Sequence, residues 1–269
     1  MTLQQVRVAV LEARMSGEMA DLVRRYGGIP VSVPAVREVP LNCGPEVTEF
    51  VNAIICGSLR TVVFFTGVGA NALFHEAEKL GRLAELVAAL QHLTIVCRGP
   101  KPSSVVRKMG LDIALCAREP FTTYELLAEL AKLDLSGQVV GVVHYGERNE
   151  MVSEMLHERG ATMHELCLYE WLLPEDTSAL QRLVNECIQR HIDAVAFTSQ
   201  VQVRHLFLVA SDMGCADQLA MALAKNVVVA SVGPTCTAVL QKYRVIPHVI
   251  PNHPKMGHLI KALADYFTS

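Results

Sequence analysis

Short runs of β-branched and apolar residues recur along the chain: VRVAVL (6–11), TVVFF (61–65), LTIVC (93–97), VVGVVHY (139–145), DAVAFT (193–198) and VVVASV (227–232). Between them the apolar positions fall at helical spacing, as in LAELVAAL (83–90) and LIKAL (259–263), which read as amphipathic helices packed on a sheet. Continuous apolar strands alternating with helices imply parallel sheets covered by helices on both faces. Thr122 and Glu125 predict a capping box ahead of ELLAEL, and Asp176 after Pro174 predicts a cap for ALQRLV. Gly27 and Gly160 stand where MADLVRRYGG and MVSEMLHERG need a left-handed closing residue. The helical pattern places Met213 and Met221 in the core, and His205 of VRHLFLV either on the exposed side or, because its helix follows Phe197 to Ser199, at the edge where a ligand would bind.

The pattern also repeats. VAVLEAR (8–14) lines up with VVHYGER (142–148), Thr66 of FFTG with Thr198 of AFTS, and Gly99-Pro100 with Gly233-Pro234, at offsets 148 − 14 = 134, 198 − 66 = 132 and 233 − 99 = 134. Near-constant separation of this kind predicts two similar α/β domains. In each repeat an apolar run stops at Gly-Pro and resumes as a helix: IVCRGPKPSSVV (95–106) and VASVGPTCTAVL (229–240). Each reads as a strand end, a tight turn and a helix N-terminus, at the carboxyl edge where open α/β sheets bind ligands. Unpaired N–H groups and the positive dipole end suit carboxylate or phosphate there. Ser103 and Thr235 fit either a cap or a ligand contact. Arg14, Arg98, Lys101 and Arg148 follow strand ends, either as cations gathered at the site or as solvated surface charges.

Composition narrows the chemistry. At 269 residues and 51% hydrophobic, the chain is long enough for two cores. Its net charge of −3 argues against a nucleic-acid or anionic-membrane partner, so any anionic ligand must meet a local positive potential. The eight cysteines are scattered, with no C-x-x-C, which fits neither zinc nor a disulfide framework. MTLQQVRVAV lacks the pattern of a signal segment, and no apolar run nears the roughly 18 residues of a membrane span. The expectation is a reduced, soluble, cytoplasmic chain. His253 and His258 in HPKMGH lie around a proline rather than on one helix face, so no metal site is expected. GVGA (67–70) is only a fragment of a nucleotide-binding loop.

The ordered set RGATMHELCLYEW (159–171), FTS (197–199), VGPT (232–235) and PHVIP (247–251) resembles the uroporphyrinogen-III synthase family over nearly the whole chain. The resemblance implies a fold of two parallel-sheet α/β domains joined by a two-stranded extended hinge, with a cleft between them. Domain one would be 1–36 plus 172–269 and domain two 39–169, with VPAVREVP (33–40) and LCLYEWLLP (166–174) as linkers. The implied reaction is that of a cyclising hydro-lyase. It closes hydroxymethylbilane with inversion of ring D and loss of water, in the biosynthesis of haem, sirohaem or corrinoids. It needs no metal or organic cofactor, and the protein would be a monomer that receives substrate from hydroxymethylbilane synthase, with no nucleic-acid or membrane partner.

By the same resemblance, Tyr169 falls at the tyrosine of the family's linker motif, where a phenol can donate to the departing hydroxyl; the alternative is a packing aromatic with a wet hydroxyl. The substrate-binding set would be Arg14, Thr66, Gly67, Arg98, Gly99, Lys101, Ser103, Gly146, Arg148, Thr198, Ser199, Gly233, Thr235 and Thr237, with Tyr145 also within reach. Thr66-Gly67 stands where the family often reads Thr-Ser, GPTCT where it often reads GPTTA, and CRGPKPSS is more basic than the usual turn. Such departures look like a divergent branch. They keep open a second reading, a non-catalytic tetrapyrrole-binding or regulatory relative.

Overall fold

The computed structural model describes residues 2–41, 43–144 and 146–268. The chain divides into two compact units, Met1–Arg37 with Leu172–Ser269, and Glu38–Trp171. The first unit holds β1 (Arg7–Val10), α1 (Ser16–Arg25), β2 (Ile29–Ser32), α8 (Ser178–Ile188), β10 (Ala194–Phe197), α9 (Gln200–Asp212), α10 (Ala216–Lys225), β11 (Val228–Ser231), α11 (Pro234–Lys242) and α12 (Met256–Tyr266). The second holds α2 (Gly44–Ile55), β4 (Thr61–Phe64), α3 (Gly67–Lys79), α4 (Leu83–Leu90), β5 (Thr94–Cys97) and α5 (Pro100–Lys108). It continues with β6 (Leu115–Cys116), α6 (Thr123–Leu130), β7 (Val139–Val143), α7 (Glu150–Glu158) and β8 (Thr162–Leu166). The chain passes between units at β3 (Arg37–Pro40) and β9 (Tyr169–Leu172), which pair as a two-stranded sheet.

The fold is α/β with parallel sheets. The first unit's strands run β11-β10-β1-β2 and the second's β6-β5-β4-β7-β8, with parallel pairing throughout. The central strands β4 and β10 are buried at every position, as their unbroken apolar runs require. The first unit's sheet separates two apolar clusters by strand alternation: Ala9, Val195 and Val229 pack on one face, and Val8, Val10, Ala194 and Ala196 on the other. Pro30 sits in β2, an edge strand where a missing ladder donor is tolerated.

The local punctuation mostly follows the sequence. The Thr122/Glu125 capping box is formed, and Gly27 and Gly160 close their helices at φ +83° and +72°. At α8 the cap residue is Thr177, and the Asp176 carboxylate instead accepts from the Ser178 N–H at 2.8 Å. Two side chains differ from expectation. Met221 is 55% exposed because α10 buries Leu219, Ala222 and Leu223 and turns position 221 outward. His205 is half-buried, with Nδ1 2.7 Å from the Ala35 carbonyl.

The repeat is present in strand order, but its register differs from the sequence alignment. The matching helices α3 and α9 both have 13 residues and are capped by Thr66 and Ser199, so the cap offset is 199 − 66 = 133. Val8 pairs with Ala194 and Val140 with Thr61, so Val8 matches Val140 at 140 − 8 = 132, not 134. Aligning Arg14 with Arg148 misled because both lie beyond the strands, where loop length is free, whereas ladder hydrogen bonds fix the strands themselves.

Candidate functional site

In the second unit, the carboxyl ends of β4 and β5 lead into α3 and α5. Thr66 caps α3 by accepting from the Gly69 N–H at 3.0 Å, and the same oxygen lies 2.8 Å from the Tyr169 hydroxyl. Tyr169 opens β9, is 3% exposed, and meets Trp171 edge-on at 6.1 Å. Its hydroxyl is therefore held against Thr66 rather than left wet. A Cβ on Gly67 would come within 3.1 Å of the Lys101 carbonyl, so the first turns of α3 and α5 lie against each other. Gly99 caps α5 from an extended backbone that any residue adopts, and its lack of a side chain admits Phe121, 3.2 Å from a built Cβ. Lys101 is exposed on the first turn of α5, while Arg98 is half-buried with its guanidinium 5.5 Å from the centre of the Phe65 ring. Ser103 is a correction: it is buried, and its hydroxyl donates to the Gly99 carbonyl at 2.8 Å, a bond inside its own helix.

Beyond β7 stands a group that the sequence reading did not select. His144 is fully buried, stacks on Phe65 at 5.7 Å, and places Nε2 3.0 Å from Glu165 Oε2. Arg148 Nε approaches the same oxygen to 3.6 Å, with the side chain 74% exposed. Burial pushes the His144 pKa down, against the upward pull of Glu165 and with the help of Arg148. A neutral ring that donates Nε2–H to Glu165 fits this, and it leaves Nδ1 without a hydrogen-bond partner. The signal in the sequence was a histidine at the end of an apolar strand with an acid on the neighbouring strand. Gly146 has a packing reason to be glycine: φ is +58° and a Cβ would lie 2.4 Å from the Trp171 ring. Tyr145 lies outside the described residues.

In the first unit, the equivalent edge is formed by β1, β10 and β11. Ser199 caps α9 by accepting from the Gln202 N–H at 3.4 Å. The Thr198 hydroxyl donates to Glu12 Oε2, so it is already engaged by a carboxylate rather than offered to one, a second correction. Gly233 is buried in the extended turn before α11, with Pro254 3.3 Å from a built Cβ. Thr235 is exposed on the first turn of α11, whereas Thr237 turns back to Ser231 Oγ at 2.9 Å, a third correction. Cys236 is buried and its pKa is pushed up to about 11, so it remains a neutral thiol. Arg14 is exposed after β1. The structure therefore gathers Thr66, Gly67, Lys101 and Tyr169 in one unit, and places Ser199, Gly233 and Thr235 at the edge of the other. Among the described residues there is no cluster of three or more side chains able to hold a metal ion, and no helix is long and apolar enough to cross a membrane.

Helix N-termini at the carboxyl edges of two parallel sheets define the class, a two-unit α/β protein with turns suited to anionic ligands. The family model described as "Uroporphyrinogen-III synthase HemD" matches residues 17–261, and the chain belongs to this family. It is 30% identical to "Uncharacterized protein YjjA" of Bacillus subtilis (strain 168), over 97% of this chain and 96% of that protein. It is 24% identical to the uroporphyrinogen-III synthase of Chlorobaculum parvum, over 95% of this chain and 98% of that protein. Among solved structures it is similar to a mutant uroporphyrinogen III synthase of Thermus thermophilus, with a TM-score of 0.82 and 25% identity, covering 98% of this chain and 99% of that one.

Proposed function

We propose that this chain is a working uroporphyrinogen-III synthase, which cyclises hydroxymethylbilane with inversion of ring D and releases water. The observation that carries the reading is the 2.8 Å contact between Thr66 Oγ1 and the Tyr169 hydroxyl at the helix-start edge of the second unit. Hydroxide is a poor leaving group, so the reaction needs a proton donor at the departing oxygen. Because the Gly69 N–H already donates to Thr66 Oγ1, the Thr66 proton is free to go to the phenol oxygen. With Thr66 as the donor in that contact, the phenol proton is the one to be passed to the departing oxygen. The acetate and propionate groups of the substrate suit the exposed first turn of α5, where Lys101 stands beside the unpaired N–H groups of a helix start. Holding the linear chain in a curled geometry supplies the rest, since closure is intramolecular once water has left.

The test is a coupled assay in which hydroxymethylbilane is generated in place by hydroxymethylbilane synthase, and the oxidised products are separated by isomer. The expected result is the type III isomer in excess over a control without this protein. Only type I would overturn the synthase reading in favour of a tetrapyrrole-binding relative without turnover.

A further inference from the structure

Two aromatic side chains at the carboxyl edge of the second unit have partners. Phe65 stacks on His144 and carries the Arg98 guanidinium over its ring, and Tyr169 meets Trp171 edge-on. Phe121 differs from both. It is half-buried, yet it is not among the apolar side chains packed on this unit's core. Among the described residues its ring has no aromatic or cationic partner. A large apolar side chain that neither fills the core nor meets another ring has no packing reason to be aromatic.

The backbone explains where the ring goes instead. The Phe121 N–H closes a turn onto the Arg118 carbonyl at 2.7 Å, and the next residue, Thr122, caps α6. Between these two fixed points φ of Phe121 is +61°, a conformation that a bulky side chain adopts only at a cost. An apolar residue just ahead of a cap ordinarily packs back on the fourth helical position, here the fully buried Leu126. The positive φ turns Phe121 away from that contact and lays it along the start of α5, with its Cβ 3.2 Å and its Cγ 3.3 Å from a Cβ built on Gly99. Two residues further on, the Lys101 carbonyl lies 3.1 Å from a Cβ built on Gly67, the neighbour of Thr66. Phe121, Gly99, Lys101, Gly67, Thr66 and Tyr169 therefore form one row across the ends of β5 and β4, wholly within the second unit.

We propose that Phe121 is the surface on which a pyrrole ring of the substrate lies; this rests on the synthase reading. A pyrrole is flat, with an apolar face and polar groups confined to its rim, so it suits offset stacking on a phenyl ring. A pyrrole seated on Phe121 keeps its acetate and propionate groups at that rim, free to reach the exposed Lys101 on the first turn of α5. The strained backbone has a use in this arrangement. It keeps the ring from collapsing onto the core, so the stacking face stands ready before the substrate arrives. The contact makes and breaks no bond. It is equal in the bound substrate and in the transition state, so it acts on KM rather than on kcat.

Three variants test it: Phe121→Leu, Phe121→Gly and Phe121→Tyr. The readouts are calorimetric binding of methylbilane, the substrate analogue without the hydroxyl, the KM and kcat of type III formation, and the melting temperature. Phe121→Leu and Phe121→Gly should each weaken methylbilane binding about ten-fold and raise KM to match, with kcat little changed. Phe121→Tyr keeps the ring and should bind like the wild type. Phe121→Gly should melt no lower than the wild type, because glycine takes φ +61° without strain and the lost ring is not part of the core. Gly99→Ala stays in an extended backbone but crowds the ring, so it should weaken binding by less. Wild-type binding by both Phe121→Leu and Phe121→Gly would overturn the proposal. So would binding lost equally in Phe121→Tyr, or a loss of binding that merely follows a fall in melting temperature. A wild-type chain that binds methylbilane without forming type III refutes the synthase reading alone, and weaker binding by Phe121→Leu then still supports the stacking contact. Wild-type protein that does not bind methylbilane overturns the contact itself.

Discussion

His144 shows what a single buried side chain decides. The ring is sealed between Phe65 and the sheet, and its one hydrogen bond goes to Glu165. Charging it would place a cation beside an unpartnered Nδ1 away from bulk water, which is why its pKa is depressed by burial despite the neighbouring carboxylate. The sign follows by linkage. Below the ordinary histidine value of about 6.5 the unfolded chain takes up a proton that the folded ring resists, so the folded state loses stability as pH drops beneath that value toward the depressed one. The urea midpoint of the wild-type protein should therefore fall between about pH 7 and pH 5, and His144→Leu should flatten that part of the profile. An unchanged slope in the variant would assign the acid sensitivity to other groups. The sequence signal for His144 was weak, because an apolar strand that ends in histidine is equally compatible with an exposed ring, and the pairing that brings Glu165 beside it is not local.

At the scale of the element, the first turn of α3 joins stability to chemistry. One oxygen, Thr66 Oγ1, both caps the helix and touches the Tyr169 phenol. Thr66→Val should cost about 1 kcal/mol through the lost cap and also lower turnover, while Thr66→Ser should restore both. Tyr169→Phe separates the two effects: it keeps the cap, so melting should change little, while kcat falls at least about ten-fold. Wild-type turnover by Tyr169→Phe would remove the phenol from the reaction. The sequence named Thr66 and Tyr169 separately, yet their contact spans 103 positions and no local pattern encodes it. The six apolar runs were legible as strands because burial on both faces demands such runs. Three of the four edge strands of the parallel sheets were not: β6 has two residues, β2 contains a proline, and the half-buried TMHEL of β8 lacks a continuous apolar stretch. Thr198 was misjudged for a related reason, since the acid that claims its hydroxyl lies 186 positions away.

For the whole molecule, the repeat in the sequence anticipated two like units, but the chain path makes them unequal in independence. Every buried member of the second unit's core lies between Val47 and Tyr169, on one continuous stretch. Both clusters of the first unit draw on the chain start, with Ala9, Leu11, Val33 and Ala35 on one face and Leu3, Val8, Val10, Met19 and Val23 on the other. The cause is the placement of β1 between β10 and β2: without it β10 has an open edge and β2 has no neighbour. A fragment of residues 38–171 should therefore fold alone, with a cooperative melt and the far-ultraviolet signal of a mixed α/β domain. Residues 172–269 alone should stay loosely collapsed and bind a hydrophobic dye, because two apolar sheet faces lose their central strand. Adding residues 1–37 through a short linker should restore cooperativity. Cooperative melting of 172–269 by itself would mean that β10 and β11 suffice as a core and that β1 is an addition to the unit rather than its keystone.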